Sequence, residues 1–381
     1  MERYTDNTYS GLANSDVEQE DINGAGGTDS ITTPFNPNDI DVDISTVNLG
    51  SLIDQLENDE IDLQPDFQRA TDVWSKIKKS RLIESIILGL PLPSFYFSED
   101  PVSHKLSVID GLQRICAIRD FVLNKEEPLK LEGLQFLQTF EGKTYAELAR
   151  PEIKRIKSLK ITMNTLRKGT PNDVKYIIFQ RVNTAGEPLT PQEMRHALNQ
   201  GAAATFIKEL AEMESFKDAT NHSVKSKRMQ DRDFANRFVA FFIGYEDYDG
   251  ELDMFMNDKM GELNRMTTMQ RESIREAFDK SMKCCHEIFG EDTFRKRTDT
   301  EHRRKPISKA VFDTLSVNIA WLTDEERHSL VCHAGMFREN MIQLFNDDKF
   351  MFSISTGTGQ KYNVEQRFTR IKELIKKTIN P

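Results

Sequence analysis

Between Leu106 and Arg119 (LSVIDGLQRICAIR) the spacing of apolar positions changes character. A short apolar run from Leu106 to Ile109 predicts a buried strand, and Asp110 and Gly111 end it. Ile115, Ala117, Ile118 and Phe121 then recur at helical spacing, with Arg114, Arg119 and Asp120 between them. The expected unit is strand, tight glycine turn, helix. Upstream, Leu49, Leu52, Ile53 and Leu56 predict a helix ending near Glu57, and Ser75 to Leu88 predicts an amphipathic helix with Gly89 as its C′ residue. Ser94 to Phe97 reads as a strand leading through Asp100-Pro101 into the next. Downstream, Leu129 to Phe140 suggests a short strand, Tyr145–Leu148 and Glu152–Ile156 short helices, and Ser158 to Leu166 a strand. Pro171 opens a helix with Val174, Ile177, Ile178 and Val182 on one side, closed by Asn183 to Gly186.

Thr190, Pro191 and Glu193 form a helix start with a capping box. From there helices are expected over 191–199, 202–213, 231–245, 268–289, 308–321, 324–345 and 363–379, with Ser353 to Gly359 as a flexible loop. The fold class is therefore α+β: a domain with a small mixed sheet over 40–190, then a mainly α-helical domain over 191–381. Residues 1–36 are poor in apolar side chains and are expected to be a disordered acidic tail.

Charge sharpens this division. Residues 1–43 hold ten acids against the base Arg3, and the rest is nearly balanced, so the formal net charge of −10 belongs mostly to the tail. No apolar run reaches the roughly 20 residues that span a bilayer, and the first ten residues lack a signal-peptide core. A cytoplasmic protein without a membrane partner is expected. Cys116, Cys284, Cys285 and Cys332 form no Cys-x-x-Cys pair, which argues against a zinc or disulfide framework, and no metal ligands are assigned.

The chemistry-bearing candidate is the Asp110–Gly111 turn. A strand–glycine–helix junction aims backbone N–H groups and the positive helix end at one spot, a natural phosphate site. Arg114 lies in the first helical turn, where its guanidinium could add charge-assisted hydrogen bonds. Asp110 could orient a metal or water; its plainer role is a helix cap, with Arg114 in an ion pair. Around Pro65, Phe67 and Trp74 read as core anchors, leaving Gln68 and Arg69 without a packing duty. Basic residues cluster at Lys225–Arg228, Arg295–Arg297 and His302–Lys305, with solvated loops as their plainer reading.

Four motifs resemble the N-terminal domain family of GmrSD-type restriction enzymes. They are PDFQR at Pro65–Arg69, RLIESIILGLPLP at Arg81–Pro93, VIDGLQR at Val108–Arg114, and IFQRVNTAGEPLTPQEMRHAL at Ile178–Leu198. The family signature reads Asp-Gly-Gln-Gln-Arg; here Leu112 replaces the first glutamine. The resemblance implies a ParB/sulfiredoxin-like fold and NTP with Mg²⁺ bound near the Asp-Gly turn. It implies Asp110, Gln113 and Arg114 as catalytic residues, with Gln68, Arg69, Asp110, Gly111, Gln113, Arg114, Arg181 and Asn183 around the nucleotide. Asn183 has a C-cap as its plainer role.

In larger members of the family, NTP hydrolysis is linked to DNA cleavage in phage defence through a His-Asn-His nuclease part. None of the seven histidines here sits in such a context, so a separate nuclease subunit is one implied partner and DNA another. No cysteine lies within Asp110–Arg114, which disfavours sulfiredoxin-type activity. The alternative is a non-catalytic DNA-binding or adaptor protein of ParB-like fold. Oligomeric state is left open.

Overall fold

The computed structural model of the chain describes residues 16–24, 41–63, 74–100, 104–167, 169–182, 189–299 and 304–380. The chain forms two compact units, one of residues 33–200 and one of residues 1–32 together with 201–381. The first is thus inserted between two pieces of the second.

The first unit is α+β. Among the described residues its sheet has five strands: β1 (Val42–Asn48), β2 (Ile61–Asp62), β3 (Phe95–Glu99), β4 (Leu106–Asp110) and β5 (Lys160–Leu166). Their order is β1-β5-β3-β4-β2. β5 runs antiparallel to β1 and parallel to β3, and β4 runs antiparallel to β3 and parallel to the two-residue β2, so the sheet is mixed. Alternation along the strands gives it two unlike faces. Phe95, Phe97, Val108, Ile161 and Met163 join one apolar cluster. Tyr96, Ser98, Ser107 and Asn164 take the opposite face.

The apolar face is covered by helices α1 (Leu49–Glu57), α2 (Lys76–Leu88), α3 (Leu112–Val122) and α4 (Arg150–Ser158), which contribute Leu52, Ile83, Ile118 and Ile156 to the cluster. Ser75 caps α2 by accepting from the N–H of Lys78, and Gly89 ends it at φ +78°. That is the left-handed C-terminal residue expected from sequence.

Helices α5 (Asn172–Val182) and α6 (Pro191–Leu198) pack against β4 and against each other. Helix α6 was expected to open the helical domain, but these contacts put it in the first unit. Its capping box forms as expected, Thr190 accepting from the N–H of Glu193 and Glu193 accepting from that of Thr190. The strand expected over Leu129 to Phe140 does not form. From Glu132 to Leu137 the backbone donors go to side chains instead: Glu132 to Ser80 Oγ, Gly133 and Leu134 to Glu141, and Gln135, Phe136 and Leu137 to Glu84.

The second unit is helical, with α7 (Ala202–Glu212), α8 (Glu214–Ala219), α9 (Gln230–Gly244), α10 (Leu252–Arg265), α11 (Thr268–Phe289) and α12 (Lys309–Ala320). After these come α13 (Asp324–Cys332), α14 (Ala334–Phe345), α15 (Asp348–Ser353) and α16 (Lys361–Ile379). The single helix expected over 324–345 is broken at His333 (φ −102°, ψ 21°). Residues 16–24, inside the stretch expected to be disordered, pack on this unit. Val17 bridges Ile307, Thr358 donates its N–H to the carbonyl of Asp21, and Gly359 donates to that of Ile22. These contacts fix the loop at Ser353 to Gly359, which composition marked as flexible. No helix among the described residues is long and apolar enough to cross a membrane.

Candidate functional site

The strand β4 ends at Asp110 and helix α3 begins at Leu112, with Gly111 between them at φ +100°. Two constraints require glycine here. The backbone is left-handed, and a Cβ would come within 2.6 Å of Phe95 Cδ1. Phe95 is fully buried beneath the turn. Since glycine has no side chain, the helix start receives no side-chain cap from its N-cap position.

Arg114 reaches back over this turn. Its Nη2 donates to Asp110 Oδ2 at 2.7 Å and to the Ser94 carbonyl at 3.2 Å, and its Nη1 donates to the Pro93 carbonyl. The guanidinium lies 4.6 Å from the centre of the Phe95 ring. The residue is 9% exposed, so these bonds form out of bulk water and brace the turn against the exit of α2. Burial lowers the Arg114 pKa, and the Asp110 carboxylate opposes that shift. The Asp110 side chain keeps 30% of its surface open. Leu112, the departure from the family signature, is half-buried and packs against the apolar cluster. Gln113 is half-buried in the same first turn.

The described parts of the Ile178–Leu198 run also come to this strand, since α5 and α6 both pack on β4. Arg181 is exposed in the last turn of α5. Gln68, Arg69 and Asn183 lie outside the described residues.

Three basic side chains not singled out from sequence are buried on these two helices: Lys175, Arg195 and His196. Burial lowers the Lys175 pKa, with the carboxylates of Asp100 and Glu99 opposing. Arg195 Nε donates to Gln192 Oε1 at 2.9 Å. The signal in the sequence is α6 itself: Gln192 through Ala197 are all buried, so polar side chains fill inward positions. Buried polar groups on this scale need partners and mark a specified environment.

The donor set at the turn suits an anion: the positive end of α3 and the backbone N–H groups of its first turn. Among the described residues no group of three or more His, Cys, Asp or Glu side chains is placed to hold a metal ion.

Of the basic loops in the helical unit, two converge. Arg295 and Arg304 both donate to Ser223 Oγ, at 3.0 and 2.7 Å, while Lys225 and Lys227 are exposed in the same loop as Ser223. Others are committed to carboxylates: Lys296 pairs with Glu18 and Arg297 with Asp292.

A family model described as the GmrSD restriction endonuclease, N-terminal domain matches residues 49–200, a span that contains β4, the Asp110–Gly111 turn, Arg114 and both α5 and α6. No curated protein and no solved structure matches the chain.

Proposed function

We propose, on the premise that residues 49–200 belong to the GmrSD restriction endonuclease N-terminal domain family, that the chain is a restriction-type, phage-defence protein whose first unit binds a nucleoside triphosphate at the Asp110–Gly111 turn. The observation that carries this reading is the turn itself: a left-handed glycine pressed on Phe95, opening a helix that has no side-chain cap. A ParB-like reading of the mixed sheet is consistent with that placement.

Within the proposed site, the first-turn N–H groups of α3 meet the phosphates, Gln113 contacts the nucleotide, and the Asp110 carboxylate orients Mg²⁺ or water. Arg114 acts mainly as a positioning residue, because its hydrogen bonds hold Asp110, Pro93 and Ser94. Arg69 and Gln68 from the PDFQR motif, with Arg181 and Asn183, complete the proposed shell. A bound Mg²⁺–nucleotide would supply the phosphoanhydride bond whose hydrolysis is coupled to action on DNA, and a separate nuclease subunit would make the cut.

The test is equilibrium binding of a panel of Mg²⁺–NTPs to the full chain, with phosphate release read from the same samples, for wild type and Asp110→Ala. Saturable binding with release lost in Asp110→Ala supports an NTPase. Binding without release supports a nucleotide switch, and Leu112→Gln is then the variant expected to restore turnover. No binding of any NTP rejects the nucleotide reading.

A second reading, DNA contact without catalysis, is favoured by exposed Arg304, Lys225 and Lys227 grouped around Ser223, with Arg295 buried beneath them as a brace. Phosphate contacts of that kind make affinity fall steeply with salt. A DNA affinity that stays flat between low and moderate salt rejects it.

A further inference from the structure

The helical unit holds a cavity of about 290 Å³ between the end of α11, α12 and α14. Its inner wall is apolar, built from Phe289, Phe294, Val311, Leu315, Met341 and Phe345. Its polar lining is charged: Arg295, Arg297 and Arg338 against Asp292 and Glu339. Arg297 Nη1 holds Asp292 at 3.0 Å, and Arg295 gives its hydrogen bonds to the carbonyls of Glu291 and Lys305 and to Ser223 Oγ. Arg338 is exposed and forms no ion pair among the described residues. The lining thus carries three arginines and two acids beside an apolar wall, with Arg297 and Asp292 joined in an ion pair.

Gly335 also lines this cavity. It lies in the first turn of α14, its backbone is not left-handed, and a Cβ built on it would meet nothing within 4 Å. Neither conformation nor close packing calls for glycine at this position. Gly335 is an exposed lining residue, so a larger side chain there would extend into the open space beside the cavity.

We propose that this cavity is a small-molecule site for a compact amphiphilic anion, with an aromatic or branched apolar body between α12 and α14 and a carboxylate, sulfonate or phosphate at Arg297 and Arg338. Its size is at the lower end of ligand pockets, which begin at about 300 Å³ and combine apolar walls with a few polar groups. The site is independent of the nucleotide reading of the Asp110–Gly111 turn.

The test uses two dyes that share an aromatic body, anionic 8-anilinonaphthalene-1-sulfonate and neutral N-phenyl-1-naphthylamine, titrated into the full chain. Gly335→Leu fills the opening and raises helix propensity, so a thermal melt at or above that of wild type verifies its fold. The expected result is saturable binding of one anionic dye per chain, weakened about tenfold or more in Gly335→Leu. Arg338→Glu should weaken the anionic dye by about threefold, the scale of an exposed charge, and leave the neutral dye unchanged. An anionic-dye titration that Gly335→Leu does not alter overturns the site. Equal affinity for the two dyes in wild type overturns the anionic assignment.

Discussion

Arg237 donates both terminal nitrogens to the carboxylate of Glu20, Nη1 to Oε2 at 2.8 Å and Nη2 to Oε1 at 2.9 Å, across 217 positions of sequence. The same guanidinium holds Asp313 through Nε at 2.8 Å and Nη2 at 2.6 Å, and Arg367 Nη2 lies 3.6 Å from that aspartate. Thr358 Oγ1 adds a hydrogen bond to Glu20 at 2.7 Å. Two buried cations thus meet two buried anions, and one of the anions comes from the N-terminal segment. Breaking a buried pair by removing one partner costs more than the pair contributes, because a charge is left without compensation.

Glu20→Ala is therefore expected to destabilise the protein by about 3 kcal/mol, read as a shifted urea midpoint with little change in slope. The pH dependence has a definite sign. Burial works against the Glu20 carboxylate, but Arg237, Lys309 and the Thr358 hydroxyl outweigh it, so its pKa falls below the ordinary 4.5. This contribution is present above about pH 4.5 and lost as pH falls through the lowered folded value. A loss under about 1 kcal/mol would mean that the segment is held by its backbone bonds rather than by this cluster.

Gly111→Ala tests the turn. The new methyl group would start 2.6 Å from the Phe95 ring at a backbone φ of +100°. A loss of about 2 kcal/mol or more is expected from clash and left-handed strain together. Adding Phe95→Leu should recover only part of it, since the smaller side chain relieves the clash and not the strain. Full recovery in a urea titration of the double variant would show that the backbone there accepts an ordinary residue.

Sequence reached the elements whose burial is periodic. The strand, turn and helix from Leu106 to Val122 were legible because a buried strand of period two meets a helix of period 3.6 at a glycine. Helix α11 was legible to its ends, with Thr267 and Gln270 forming its capping box. Strand β1 was not, because it is an edge strand with Ile44 70% exposed, held to β5 by backbone pairing, and the alternation of Val42 and Ile44 breaks down at Thr46 and Val47. The segment 16–24 was hidden by its composition: Val17 is buried, but Glu18 and Glu20 bind through charge, which a low apolar content conceals. Helix α10 was obscured by Asn257, Asp258 and Gly261 among its buried Leu252, Phe255, Met256, Met260 and Leu263. At the candidate site the Asp110–Arg114 motif was visible, but the direction of Arg114 was not. Whether an arginine faces a ligand or the protein depends on the Pro93 and Ser94 carbonyls brought to it by a different element.

Glu84 gives a third expectation. Its carboxylate accepts from the N–H groups of Gln135, Phe136 and Leu137 at 3.1, 2.7 and 2.8 Å. Burial would raise its pKa, but these backbone donors outweigh that and lower it below the ordinary 4.5. Its contribution is therefore present above about pH 4.5 and lost in more acid solution. Glu84→Ala should cost about 1–3 kcal/mol, the penalty for donors left without an acceptor. Hydrogen exchange localises the effect, with the amides of Phe136 and Leu137 exchanging faster than in wild type. Unchanged exchange at those amides would mean that another acceptor takes over.

Arg114→Lys separates charge from shape. A lysine keeps the positive charge near Asp110, but a single ammonium cannot lie flat on the Phe95 ring and also serve the carbonyls of Pro93 and Ser94 as the guanidinium does. The expected loss is about 2 kcal/mol, one or two buried acceptors left poorly served. Asp110→Asn in the lysine background should then cost less than in wild type, with a coupling of about 1 kcal/mol in a double-mutant cycle. Strict additivity would separate the two side chains energetically. Coupling together with weakened nucleotide binding in Arg114→Lys would tie the brace to the function proposed for the turn, since the residue would then act through the position of Asp110 and Gly111.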